Sequence, residues 1–284
     1  MPSGAARPPA DESAKAASGI AKAAFAPERH ARILALLGER GRVRNTELAA
    51  LLGVTEPTIR KDVAELAGQR RLHRTHGGAL AMRPAIEPDL LARVVRNPEV
   101  KTRIARACLT MISPGDAIYL DTGSTVLRIA ELLVDAIEAG TGPRNVNVLT
   151  NAMPVAGAVA DRAGVRHTVL GGTYRPAGEC FVGPLTLADL DSFTVNIAFL
   201  GVTGLTAQGL TVADLNEAQL KRAVINRARR VVVAMDRSKL GAADFARICS
   251  LDEVSALVTD APNPYLRQLC QQNDVELIDA EAGR

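Results

Sequence analysis

Two clusters of residues in this 284-residue chain have types and spacings suited to chemistry. The first is basic. Thr55, Pro57, Thr58, Arg60 and Lys61 lie in one run, followed by Arg71, Arg74 and His76. An arginine guanidinium presents a rigid fork of donors that matches the O6/N7 edge of guanine, and a lysine ammonium suits a phosphate oxygen. Threonine hydroxyls serve either acceptor, and a proline is tolerated in a helix's first turn. Asp62 has the wrong sign for such a surface and is expected to pair with a neighbouring arginine. A solvated helix face would carry the same Arg60-Lys61 pair, so the run by itself leaves both readings open.

The second cluster is Asp121-Thr122-Gly123-Ser124-Thr125. A glycine-containing turn into a helix presents unpaired backbone N–H groups and the positive end of the helix dipole, which together can cradle a phosphate. The hydroxyls of Thr122, Ser124 and Thr125 add donors. The Gly-Lys-Ser/Thr ending of a Walker A loop is missing. Asp121 would repel a phosphate that it faced, so it is expected to turn toward a sugar hydroxyl or a backbone N–H. An ordinary strand-to-helix turn is the alternative. Asn151, Arg175, Gly201 and Lys239 fall in further loops at the ends of apolar runs. Glu217 and Lys221 stand four apart, as either a surface helix pair or a ligand contact for Lys221.

These residues need elements to hold them. Ile33, Leu34, Leu36 and Leu37 recur at helical spacing, and Gly38 and Gly41 are expected to stop that helix. Asn45 or Thr46 can cap a second helix carrying Leu48, Leu51 and Leu52, and Gly53 makes a tight turn. Thr55 can cap a third, running through Ile59, Val63 and Leu66 to about Gly68. Ile59 and Val63, four apart, face the core, which turns Thr58, Arg60 and Lys61 outward. The basic segment 70–78 then ends in a glycine pair. Three short helices and a basic hairpin are the layout of a winged helix-turn-helix, whose second motif helix enters the major groove.

Residues 1–26 read as a disordered tail, 27–82 as the winged helix-turn-helix, and 83–98, with Pro84, Pro88 and Pro98, as a linker. Residues 99–284 follow a different rhythm. Short apolar runs at 117–120, 146–149, 167–170, 195–202, 231–235, 254–258 and 275–278 alternate with helical stretches near 99–112, 124–138, 152–162, 214–229 and 263–272. That alternation implies an α/β domain with a parallel sheet and helices on both faces, and in such sheets ligands bind beyond the carboxyl ends of the strands.

Charge separates the two halves. Residues 1–85 carry 14 Lys+Arg against 8 Asp+Glu, and residues 86–284 carry 20 against 23. A basic head on a slightly acidic body fits polyanion binding by the head. With no Trp and 3% aromatic residues, a stacking platform for single-stranded nucleic acid is not expected. No apolar run approaches the roughly 20 residues that span a bilayer, the N-terminus has no signal-peptide core, and the four cysteines show no metal-like spacing. A cytoplasmic protein with reduced thiols, no metal and no cofactor is expected.

At this point the motifs carry a resemblance. Arg32-Ile33, Gly41, Glu47-Leu48, Leu52-Gly53-Val54, the run Thr55-Glu56-x-Thr58-Ile59-Arg60-Lys61-Asp62-Val63, Leu66 and Arg74-Thr75-His76-Gly77-Gly78-Ala79 resemble the DNA-binding domain of the DeoR family of bacterial transcriptional regulators. The family usually has glycine where Arg70 stands, at the turn into the wing. Lys101-x-x-Ile104-Ala105, Asp121-x-Gly123-Ser124-Thr125, Thr150-Asn151, Leu170-Gly171-Gly172, Arg175, Ala198-Phe199-Leu200-Gly201, Gly209-Leu210-Thr211, Glu217-Ala218-x-x-Lys221 and Asp236-x-Ser238-Lys239 resemble its second domain.

The resemblance implies a sensor domain related in fold to ribose-5-phosphate isomerase. It also implies a phosphorylated sugar or related metabolite as effector, and double-stranded operator DNA as partner. The contacts it implies are Gly123, Ser124, Thr125, Arg175, Lys221 and Lys239, beside Asp121, Asn151, Gly201 and Glu217. A homodimer or homotetramer would repress a carbohydrate operon until the effector releases it. The rival is an isomerase-like enzyme with a DNA-binding head. Related isomerases carry an Asp-Gly-Ala-Asp-Glu segment after the equivalent strand. Here that segment reads Gly201-Val202-Thr203-Gly204, and Asn196 stands where the family commonly has Asp. Aldose–ketose isomerisation needs a positioned base; Glu217 remains as a lone candidate acid, and the loss of the local carboxylates favours binding without turnover, so no catalytic residues are expected.

Overall fold

The structure, a computed structural model, describes residues 26–40, 42–69, 71–75, 77–81 and 90–282. The chain divides into two compact units, Met1–Met82 and Arg83–Arg284.

In the first unit, helix α1 (Ala26–Arg40), strand β1 (Arg42–Arg44), helices α2 (Asn45–Leu52) and α3 (Glu56–Gly68) and strands β2 (Leu72–Thr75) and β3 (Gly78–Ala81) follow in order. The strands make an antiparallel sheet, β1-β3-β2. This is a winged helix-turn-helix. Its core is Ile33, Leu37, Leu48, Ile59, Val63, Leu66 and Leu72, each no more than 2% exposed. Gly53 closes α2 in the left-handed region at φ 64°.

Two local expectations need correction. Gly38 does not stop α1, which runs on to Arg40, because packing of the helix outweighs the ~1 kcal/mol glycine penalty. Arg44 occupies the cap position of α2, with Asn45 already helical and 4% exposed. Leu51 is 54% exposed, since Leu48 supplies the inward face of this short helix. The N-terminal tail 1–26 lies outside the described residues apart from Ala26, which opens α1.

The second unit begins with helices α4 (Leu90–Val94) and α5 (Pro98–Leu109). The expected linker, 83–98, is therefore partly folded: Leu90 is 3% exposed within the second unit, while 83–89 lie outside the described residues. Next come β4 (Ala117–Leu120), α6 (Ser124–Glu138), β5 (Val146–Thr150), α7 (Met153–Val159) and β6 (Val165–Val169). They are followed by β7 (Thr173–Arg175), β8 (Cys180–Val182), α8 (Pro184–Leu190), β9 (Val195–Leu200), β10 (Gly204–Thr206) and β11 (Gly209–Val212). The chain finishes with α9 (Leu215–Ile225), β12 (Ala228–Ala234), β13 (Ala246–Cys249), β14 (Ala256–Thr259), α10 (Pro264–Gln272) and β15 (Glu276–Asp279).

All seven apolar runs predicted from sequence enter one sheet, in the order β15-β14-β12-β9-β4-β5-β6, with every pairing parallel. Side chains alternate between its faces. Ile118 and Leu120 join a core with Ile104 of α5, Ile129 and Leu133 of α6 and Val155 of α7. Tyr119 points the other way, into a core with Leu220 and Val224 of α9 and Leu266 of α10. Two small antiparallel sheets, β7-β8 and β10-β11-β13, complete the unit. From β4 the chain proceeds through β5 and β6 in one direction, and from β9 through β12, β14 and β15 in the other. The order reverses between β4 and β9, and a crevice opens at such a switch point.

Candidate functional site

The outward face of α3 carries the basic cluster. Its buried residues are Ile59, Asp62, Val63 and Leu66, so Arg60 and Lys61 project from the opposite side. Arg60 is held by Glu56, one turn earlier, at 2.6 Å, with 60% of the arginine side chain exposed. A surface pair of this kind is worth about 0.3–0.5 kcal/mol, so Arg60 is easily turned to another acceptor. Thr55 stands at the cap of α3, but its hydroxyl meets the Thr58 hydroxyl at 2.9 Å and does not accept from a helix N–H. Pro57 is exposed in the first turn. Asp62 does not belong to this face. It is 3% exposed and accepts from Arg29 Nε at 2.8 Å and Nη2 at 3.0 Å, with His30 Nε2 at 3.2 Å. Burial alone would raise the Asp62 carboxyl, but Arg29 and His30 outweigh it and hold the group below the usual carboxylate range. The odd acid thus clamps α1 to α3. Arg71 and Arg74 are exposed on the wing, and His76, like Arg70, lies outside the described residues.

In the second unit the residues at the switch point are buried and mutually paired. Asp121 follows β4 and is 1% exposed. Its N–H donates to Phe199 O of β9, and its Oδ2 accepts from the Gly201 N–H at 2.9 Å and from Lys221 Nζ of α9. The expected turn toward a backbone N–H is thus observed. Burial would strip the Lys221 ammonium of its proton, but the carboxylates of Asp121 and Glu217 outweigh it and raise the group above its ordinary value. Glu217 accepts from Arg175 Nη1 at 2.8 Å, and Arg175 Nε lies 3.4 Å from Asp214 Oδ2. Asp214 Oδ1 caps α9 by accepting from the Glu217 N–H. Glu217 and Lys221 are therefore no surface pair: both are at most 5% exposed, and each meets an opposite charge from a distant strand end. Cys180 Sγ lies 3.8 Å from Glu217 Oε1, and burial pushes its thiol up to about 12, so it stays protonated.

Beside these pairs α6 begins. Its cap residue is Gly123, at φ 125° and ψ 153°, which an L side chain rarely adopts. Glycine offers no capping side chain, and the first turn holds no acid. The first N–H groups of α6 thus point toward the carboxyl edge of the sheet with their dipole uncompensated. Ser124 is half-buried and Thr125 is 9% exposed. The Thr122 hydroxyl donates to Gly178 O at 2.8 Å.

Family comparison assigns both units. A model of the DeoR-like helix-turn-helix domain matches residues 29–85, and one of the DeoR C-terminal sensor domain matches residues 96–261. The chain belongs to the DeoR family. It is 30% identical to the HTH-type transcriptional repressor GlcR of Bacillus subtilis, over 90% of this chain and 97% of that protein. It is 31% identical to the glycerol-3-phosphate regulon repressor of Escherichia coli, over 88% of this chain and 97% of that protein. Among solved structures, ribose 5-phosphate isomerase A from Methanocaldococcus jannaschii aligns with 51% of this chain and 55% of its own, at a TM-score of 0.38 and 20% identity.

The DeoR sensor match spans all the residues singled out for effector binding, but the structure groups them unevenly. Asp121, Gly201 and Lys221 meet directly, as do Arg175 and Glu217, beside Gly123, Ser124 and Thr125. Asn151 serves the scaffold: its Oδ1 accepts from the Tyr119 hydroxyl and its Nδ2 donates to Phe181 O, both at 2.8 Å. Lys239 ends a 3₁₀ turn after β12, where its charge acts on Lys101. Lys101 stands in the family motif and was not singled out from the sequence. It is 5% exposed, donates to Arg93 O and Arg96 O, and burial pulls its ammonium down to about 8 despite the nearby Asp236. Among the described residues no His, Cys, Asp and Glu group is placed to hold a metal ion, and no helix is long and apolar enough to cross a membrane. The four cysteines are buried and unbridged.

Proposed function

We propose that this DeoR-family regulator represses a carbohydrate-related operon and leaves its operator when a phosphorylated sugar occupies the crevice between β4 and β9. The observation that carries this reading is the glycine-capped start of α6 at the switch point, beside buried Asp121, Lys221 and Glu217 and half-buried Arg175. The phosphate would sit on the N–H groups and hydroxyls of Ser124 and Thr125, and the charged pairs would meet the sugar hydroxyls. Similarity to the repressor of a glycerol-3-phosphate regulon supports a phosphorylated carbohydrate.

The head would read DNA through Arg60 in the major groove, with Thr55, Pro57, Thr58 and Lys61 near the backbone and Arg71, Arg74 and His76 following it along the wing. A homodimer or homotetramer in the cytoplasm would set two heads on half-sites about 34–36 Å apart. Binding without turnover is favoured because the carboxylates of Asp121 and Glu217 are both committed to cations, which leaves neither as a ready base.

A thermal-shift screen against ribose 5-phosphate, glucose 6-phosphate, fructose 6-phosphate and glycerol 3-phosphate tests the reading. A ligand at a hundredfold excess over Kd stabilises the protein by about 2.7 kcal/mol. That ligand should also lower affinity for duplex DNA from the gene's own upstream region. No shift with any compound would remove the sugar-phosphate assignment, and isomerisation of any of them would replace regulator with enzyme.

A further inference from the structure

Between β7 and β8 the chain makes a 3₁₀ turn, Pro176–Gly178, whose two consecutive carbonyls face different parts of the molecule. Gly178 O accepts the hydroxyl proton of Thr122, in the loop that leads into α6. Ala177 O accepts from Arg93 Nη2 of α4 at 2.9 Å. Arg175, which opens the turn, is the residue paired with Glu217. One peptide therefore ties the candidate anion cradle to α4. In chain order α4 is the first described element after residues 83–89, which follow the DNA-binding unit.

Leu90 is the buried residue of α4, while Leu91 is 69% exposed and Val95 just beyond it is 77% exposed. The helix also packs against α6, and its polar ties include Arg93 to Ala177 O and Lys101 to the carbonyls of Arg93 and Arg96. A five-residue helix is too short to be stable on its own and depends on such contacts.

We propose that the hydroxyl proton of Thr122 is a switch between Gly178 O and an anion bound at the start of α6, and that Arg93 carries its position to α4. A threonine hydroxyl has one proton to donate. Thr122 is 4% exposed and its proton lies on Gly178 O. An anionic oxygen on the adjacent α6 N–H groups is a stronger acceptor than a carbonyl and draws that proton away. Gly178 O then loses its donor, the 3₁₀ turn loosens, and the Arg93–Ala177 bond weakens with it. The response is the release of α4 from its carbonyl partner on the second unit. This inference rests on the proposed anion site for its trigger, but the coupling itself exists without ligand and is measurable so.

The test is a double-mutant cycle in the full-length, ligand-free protein, read by amide hydrogen exchange over residues 91–101 and 176–180. Thr122→Val removes the proton at nearly constant shape, and Arg93→Ala removes the second tie. Each single variant should speed exchange of α4 amides by about five-fold, the effect of one lost hydrogen bond. The double variant should match Arg93→Ala, because the Thr122 effect reaches α4 through Arg93. Thr122→Ser and Arg93→Lys, which keep a donor, should restore most of the protection and show that the variants act through these bonds and not through misfolding. Additive effects in the cycle, or a Thr122→Val variant that loosens 176–180 and leaves α4 unchanged, would overturn the proposal. The two readings fail separately: a null sugar-phosphate screen with an intact cycle removes the anion site as trigger, and a positive screen with additive exchange removes the relay.

Discussion

The two charged surfaces of this protein are built in opposite ways. On α3 the cation proposed to read DNA, Arg60, is mostly exposed and loosely held by a neighbour on the same helix. At the crevice of the second unit, Asp121 and Lys221 are nearly sealed from water and meet across 100 residues of sequence. The exposed pair exchanges its partner at little cost, which suits a surface that must bind and leave a polyanion. The buried pair keeps its geometry because no water competes for either member, which suits a preformed receptor. Asp62 shows that the distinction follows environment and not residue type. It is next to Lys61 in sequence, yet it behaves like the crevice acids.

Breaking the buried pair should have the largest effect. Lys221→Met leaves the Asp121 carboxylate with the Gly201 N–H and no countercharge, and should cost about 3–5 kcal/mol of stability in denaturant unfolding. Adding Asp121→Asn to it should recover part of that loss. A Lys221→Met protein as stable as the parent would mean that the crevice is wet and the contrast with α3 is wrong.

Asp62→Ala comes next, at about 1.5–3 kcal/mol, since it removes charge-assisted bonds to Arg29 and His30. The sign of its pH dependence follows from the depressed carboxyl. The unfolded state takes up the proton first, so stability from this group is full above about pH 4 and lost as pH falls further. Unfolding of the first unit followed from pH 6 to 2 should show that loss in the parent and not in Asp62→Ala.

Arg60→Ala should leave the melting temperature nearly unchanged and cost about 1–3 kcal/mol of specific DNA binding. Equal loss on specific and random duplexes would demote it from base reader to phosphate contact. Lys61→Ala is the mildest change. The slope of log K against log salt should fall by about 0.9, and a fluorescence titration across a salt series resolves this. An unchanged slope would leave Lys61 as a solvated residue.

The seven strands of the parallel sheet and the three head helices were legible because burial on both faces, or along one stripe, writes a strong apolar pattern into the chain. Strand β4 was located to the residue. The short ribbons β7-β8 and β10-β11-β13 were not legible. Their strands are three or four residues long, too brief for alternation to show, and they form because neighbouring segments complete their hydrogen bonds. Helix α4 was masked by the prolines around it. Lys101 and Thr122 were visible as residue types. Their partners are carbonyl oxygens of a turn and of a helix end, which every residue possesses and no sequence distinguishes.

By itself, then, the sequence determined which stretches fold, which α3 residues face outward, and where a glycine interrupts the strand-to-helix turn at 123. All of these follow from local periodicity and from the conformations that single residues allow. The tertiary structure alone decided which charge neutralises which. Lys221 meets Asp121 rather than Glu217, Asp62 meets Arg29, and one turn bonds both Thr122 and Arg93. Electrostatic pairing depends on distance in space, and only the order of strands in the folded sheet brings those atoms within reach.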